Sequence, residues 1–175
     1  KVIEALLDES KPFPPKLLYR FSDITQEDLS SLKKVWENIT SHRRQALLQD
    51  LDDLASSDTL LDFELLARFS IEDNDPEVRF HAISLLWECT SQNLLPVYIK
   101  ILETDADREV SAPAALALGQ FVYYGELEEI SQDSQKTAEE SLLKAVKSAQ
   151  SQLVQRRALE SLGFSSREEV PDLIN

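Results

Sequence analysis

Asp75-Pro76-Glu77-Val78-Arg79-Phe80-His81-Ala82-Ile83-Ser84-Leu85-Leu86-Trp87 decides the fold, because its apolar pattern returns twice downstream. Aligning Val78 with Val110 and Val154 brings Ala82, Ala114 and Ala158 into register four residues on. Ile83, Ala115 and Leu159 follow five on, Leu86, Leu118 and Leu162 eight on, and Trp87, Gly119 and Gly163 nine on. Spacings of four, five and eight lie on one helix face. A second helical stripe precedes each valine, with Leu66, Tyr98 and Leu142 twelve back and Phe69, Ile101 and Ala145 nine back. The unit is therefore a helix pair, repeated at intervals of 32 and 44 residues, with an insert at 126–135 in the longer one. Self-similarity at this period marks stacked helical repeats. The recurring alanine is small enough to let two crossing helices approach closely. Asp75 reads as an N-cap, and Pro76 fills the first helical position, where its missing N–H costs nothing.

Outward from this repeat, the chain divides into an N-terminal arm, residues 1–21, and helical repeats over 22–175. Residues 2–7 form a short helix, closed by Pro12, Pro14 and Pro15, which no helix interior tolerates. The arm is expected to be extended, with Phe13 and residues 17–21 anchoring it. Thr25 caps a helix whose first turn is acidic, and Leu29, Leu32, Val35 and Trp36 give it one apolar face. Ser41 is the expected cap of the next helix. The repeats then run over 58–89, 93–124 and 136–163, after a degenerate one at 22–56 and before the start of another at 166–175. Within them helices are expected at 60–69, 77–88, 94–102, 114–122, 137–146 and 152–162. Pro113 should delay its helix to near Ser111 or kink it. No segment alternates with period two, so the fold class is all-α, an α-solenoid of stacked antiparallel helix pairs.

These residues carry a resemblance. Asp75-Pro76-Glu77-Val78-Arg79 with Ala82 and Leu85-Leu86 resembles the second helix of a HEAT repeat. So do Asp107 and Val110 with Ala114, Ala117, Leu118 and Gly119, and Val154 with Ala158, Leu162 and Gly163. The bacterial HEAT repeats, including the phycobilin-lyase-like branch, share the pattern. The resemblance implies a scaffold whose second helices present a binding surface. An aspartate-to-arginine ladder between repeats would use Asp75 and Arg79, but Ser111 and Gln155 occupy the later arginine positions.

Charge narrows the partner. The 175 residues carry 18 Lys+Arg against 32 Asp+Glu, a net charge of −14, which disfavours phosphate-bearing surfaces. Ten acids but a single base, Arg68, lie between positions 50 and 77. That run is either a solvated helix face or a ridge for a basic protein partner. Basic residues cluster only at Lys33-Lys34 with Arg43-Arg44 and at Arg156-Arg157. One cysteine, Cys89, forms no internal disulfide, and no apolar run approaches the length of a membrane span, which together point to a cytoplasmic protein. Methionine is absent, so the chain reads as a fragment of a longer protein.

Catalytic chemistry finds little support. Asp73, Asp75 and Glu77 alternate as calcium ligands do, but without the glycine and final glutamate of such a loop, so they read as caps. His42 and His81 fall in different repeats, Cys89 ends an apolar helix, and no phosphate loop or nucleophile elbow is present. No catalytic residue, metal or cofactor is expected. The expected function is a non-enzymatic scaffold for protein–protein interaction, with Arg79, Ser84, Trp87, Glu88 and Gln120 as contacts. Tyr123, Tyr124 and a bulge at Gly125-Glu126-Leu127 form a second candidate patch. The resemblance also admits a tetrapyrrole-handling protein or, less well matched by charge, a HEAT-like nucleic-acid binder.

Overall fold

The computed structural model describes residues 1–87, 89–149 and 151–174. It divides into two compact units, Lys1–Leu86 and Trp87–Asn175. The described residues are all-α, with no strand among them.

The first unit contains α1 (Val2–Leu7), a 3₁₀ helix (Pro15–Phe21), α2 (Gln26–Lys33), a second 3₁₀ turn (Trp36–Asn38), α3 (Ser41–Ser57), α4 (Glu64–Ser70) and α5 (Pro76–Leu85). α5 packs on both α3 and α4. Leu47, Leu48, Leu51, Leu66, Val78, Ala82 and Ile83 are buried between them. The arm is not extended throughout: Pro15 starts the 3₁₀ helix, which buries Leu18 and Phe21. Arg43 ties the arm to α3 by donating from Nη2 to the carbonyls of Asp8 (2.9 Å) and Lys11 (2.6 Å).

Caps set the helix starts. Thr25 and Asp28 form a reciprocal capping box on α2, and the Thr25 bonds hold the Asp28 carboxyl below its ordinary pKa. The cap of α3 is Thr40 rather than Ser41, with Thr40 Oγ1 accepting from Arg43 N at 3.4 Å. The helix expected from residue 60 starts only at Glu64. Asp58 and Asp62 accept from the amides of Leu60 (3.1 Å) and Glu64 (2.7 Å), two local turns that compete with the helix.

The second unit contains α6 (Leu95–Thr104), α7 (Arg108–Glu126), α8 (Gln132–Ser148), α9 (Gln152–Leu162) and α10 (Val170–Ile174). α6 pairs with α7 and α8 with α9, while α7 packs on α9 and α6 on α8. Two helix hairpins thus stack second helix on second helix, the arrangement of an α-solenoid. Val110, Ala114, Leu118, Leu142, Val154, Ala158 and Leu162 form the seam. α7 starts at Arg108, three residues before the onset expected from Pro113. Asp107 caps it, accepting from Glu109 N at 2.9 Å, and Pro113 sits close enough to the helix start that the carbonyl it leaves unbonded belongs to exposed Glu109 in the first turn.

The α7–α9 crossing depends on Gly119. A Cβ there would lie 2.7 Å from Ser161 Oγ and 2.8 Å from Ser161 Cβ. Ser161 is itself fixed, since its hydroxyl donates to the Ala115 carbonyl at 3.0 Å. Gly119→Ala is expected to lower stability by about 1–3 kcal/mol in urea denaturation despite the better helix propensity of alanine. Ser161→Gly in the same chain should recover most of that loss, because it removes the atoms the new methyl meets.

Candidate functional site

The turn between paired helices is built from the same register positions each time. In the first unit, Arg79 Nη1 donates to the carbonyls of Asp73 (2.8 Å) and Asn74 (3.0 Å). In the second unit, Ser111 Oγ reaches back to the carbonyls of Asp107 (3.1 Å) and Asp105 (3.5 Å), and Gln155 Nε2 to that of Ala149 (2.8 Å). Arg79, Ser111 and Gln155 each stand one residue after the repeat valine, and each closes the turn upstream of its own helix. Any donor of sufficient reach serves there, which accounts for three different residue types. The Asp75–Arg79 ladder is therefore absent. Asp75 instead accepts from Gln45 Nε2 of α3, at 3.0 and 2.9 Å.

The alternating acids are turn chemistry. Asp73 Oδ1 accepts from Asp75 N at 2.8 Å, and Asp105 Oδ1 from Asp107 N at 2.9 Å. Asp75 then caps α5 through the amides of Glu77 and Val78. Among the described residues no group of three His, Cys, Asp or Glu is arranged to hold a metal.

Asp73 does more. Its buried carboxylate accepts from Trp36 Nε1 at 2.6 Å and pairs with Arg44 Nη1 at 2.9 Å, joining the 3₁₀ turn, α3 and the loop before α5. Asp52 joins α3 to α5 in a similar way, with Oδ1 accepting from Ser84 Oγ at 2.7 Å and Oδ2 lying 3.0 Å from His81 Nδ1. Of the ten acids between positions 50 and 77, Asp52, Asp58, Asp62, Glu64, Asp73 and Asp75 are thus engaged in caps, turns or pairs within the unit. Asp50 keeps a carboxyl above its ordinary pKa, first through partial desolvation and then through neighbouring Asp53. Five of the six clustered bases are engaged too. Lys33 lies 5.0 Å from the Phe69 ring centroid, Arg43 and Arg44 make the bonds above, and Arg156 and Arg157 share Glu160 at 2.9 and 2.6 Å.

The expected contact residues fall in both units. In the first, Arg79 and Ser84 are half-buried and bonded as described. In the second, Trp87 is 41% exposed and Gln120 half-buried. Glu88 lies outside the described residues. Cys89 is half-buried, with Sγ 3.6 Å from Ser91 Oγ.

An exposed cluster of aromatic rings lies at the C-terminal ends of α7 and α9. The Tyr123 ring meets Tyr124 edge-on at 5.2 Å and Phe164 at 5.4 Å. Tyr123 is 41% exposed, Phe164 51%, and Leu127, one turn beyond Tyr123, 50%. The segment expected to be a bulge is instead a tight helix stop: Glu129 N donates to Tyr124 O at 2.9 Å and Glu128 N to Gly125 O at 3.0 Å. This bond pair is a Schellman motif, which needs a left-handed residue, and Glu128 supplies it at φ 61°. Tyr123 and Tyr124 were legible as a patch in the sequence, but Phe164 was not. Its signal was faint, an apolar residue directly after the Gly163 that ends the repeat.

No curated protein sequence matches the chain. The family of HEAT repeats matches it over residues 64–163, more than half its length. That span takes in the helix pairs, their turn-closing donors and the small residues at the α7–α9 crossing, and the chain belongs to the HEAT-repeat family.

Proposed function

We propose that this chain is a non-enzymatic scaffold that holds a protein partner through its second helices, in a reducing compartment such as the cytoplasm. Within the second unit, Tyr123, Phe164 and Leu127 are its principal anchors, with Trp87 and Gln120 as further contacts. Arg79, Ser84 and Glu88 are the proposed contacts elsewhere along the chain, at most auxiliary for Arg79 and Ser84, whose polar groups already serve the first unit. The observation that carries this reading is the exposed ring cluster of Tyr123 and Phe164. Aromatic side chains are the commonest interface anchors, and a contiguous apolar patch in water carries a standing cost unless something covers it.

The test is selection of binding peptides from an unbiased displayed library on the immobilised chain, each then measured against Tyr123→Ser, Phe164→Ser and Trp87→Ala. Loss of about tenfold in affinity for at least one of the first two is expected. Equal affinity for all three variants and the parent would overturn the reading.

A further inference from the structure

On its α7 side the ring cluster is followed in the chain by charge of one sign. Residues 126–133 contain Glu126, Glu128, Glu129 and Asp133 and no base. Glu126 is occupied, its Oε1 accepting from Gln135 Nε2 at 2.7 Å and from Ser166. Glu128, Glu129 and Asp133 are exposed, and none has an ion pair among the described residues. This contrasts with positions 50–77, where six of the ten acids are engaged in caps, turns or side-chain pairs. Glu128 is also the residue held at φ 61°, a place where glycine is the unstrained choice. The chain thus keeps a carboxylate directly after Leu127, at a position where glycine would relax the backbone.

Resting on the scaffold reading above, we propose that the Tyr123–Phe164–Leu127 surface takes an arginine-bearing basic segment of its protein partner. A guanidinium stacks on the face of a tyrosine or phenylalanine ring and at its edge pairs with a carboxylate in fork geometry. Exposed rings followed within six residues of Tyr123 by Glu128 and Glu129, which have no ion pair among the described residues, offer both halves of that contact. Acidic or purely apolar segments would leave these carboxylates repelled or desolvated without a partner.

The experiment is fluorescence anisotropy with a labelled synthetic peptide carrying three arginines spaced by alanines, titrated with the full chain at two salt concentrations. A lysine-for-arginine peptide runs in parallel. The arginine peptide should bind more tightly than the lysine peptide and lose about tenfold in affinity on Tyr123→Ser/Phe164→Ser. Glu128→Gly should weaken binding about threefold while raising the melting temperature by about 4 °C, a pairing that general damage to the fold does not produce. Glu128→Gln should weaken binding equally with the melting temperature unchanged, because it keeps the left-handed strain and removes only the charge.

The proposal is overturned by an arginine peptide that does not bind. It is equally overturned if Tyr123→Ser/Phe164→Ser leaves affinity unchanged, or if Asp50→Asn/Asp53→Asn lowers affinity as much, since the attraction would then be diffuse. If library-selected peptides of other composition still require Tyr123 and Phe164, only the arginine preference fails. If no selected peptide requires them, the scaffold reading fails with it.

Discussion

Asp73→Ala is expected to cost the first unit about 3–5 kcal/mol, read as a shift of the urea midpoint by circular dichroism. Among the described residues the carboxylate is the single anionic partner of buried Arg44, and it also accepts from the Trp36 indole. Its removal strands a guanidinium whose Nε already lacks a partner among the described residues. It also strands the Trp36 N–H and removes the acceptor that turns the chain at Asp75. Each loss is a desolvation cost that no water at that depth repays. Because the penalty lies in the unpaired charge, Arg44→Met combined with Asp73→Leu should recover most of it, even though both members of the pair are then gone. If Asp73→Ala shifted stability by less than about 1 kcal/mol, the network would be incidental to the fold.

Phe121→Ala should cost the second unit about 3–5 kcal/mol, measured the same way. Phe121 and Tyr98 are both fully buried and stack edge to face at 6.3 Å, coupling α7 to α6. The hole left by the ring cannot close, because the α7–α9 crossing is already at contact distance at Gly119 and Ser161. Phe121→Leu, which refills most of the volume, should lose about 1–2 kcal/mol. Comparable losses for both variants would mean that the crossing relaxes more readily than its contacts imply.

Much of the architecture was legible in the residues. The valine–alanine–leucine register predicted which side chains are buried, because a helix face repeats every 3.6 residues whatever it packs against. Val78, Ala82, Val110, Ala114, Val154 and Ala158 are all in the core. Asp75 was legible as a cap because a cap bonds to amides two or three residues away. Helix onsets were less secure. Ser41 and Thr40 are neighbours with equivalent side chains, and the run from residue 60 has helical periodicity but gives way to two aspartate turns.

The candidate site was legible only in part. An acidic run from 50 to 77 reads the same in sequence whether its carboxylates face water or cap helices. Their partners, Trp36, Arg44, Gln45, His81 and Ser84, stand 29 to 37 positions away, and nothing local identifies them. Nor does anything local show that Arg79 donates to the carbonyls of Asp73 and Asn74 in its own turn.

The sequence by itself determined that this is a helical repeat protein and which face of the repeat helices is apolar. Both are set by spacings within one or two helical turns. Only the tertiary structure decided which charges are spent and which remain, and that Phe164 meets Tyr123 at an exposed edge. Those outcomes depend on how one helix pair lies against the next. In the second unit that packing is set by the shape of the α7–α9 seam, closest at Gly119 and Ser161, which no local period encodes.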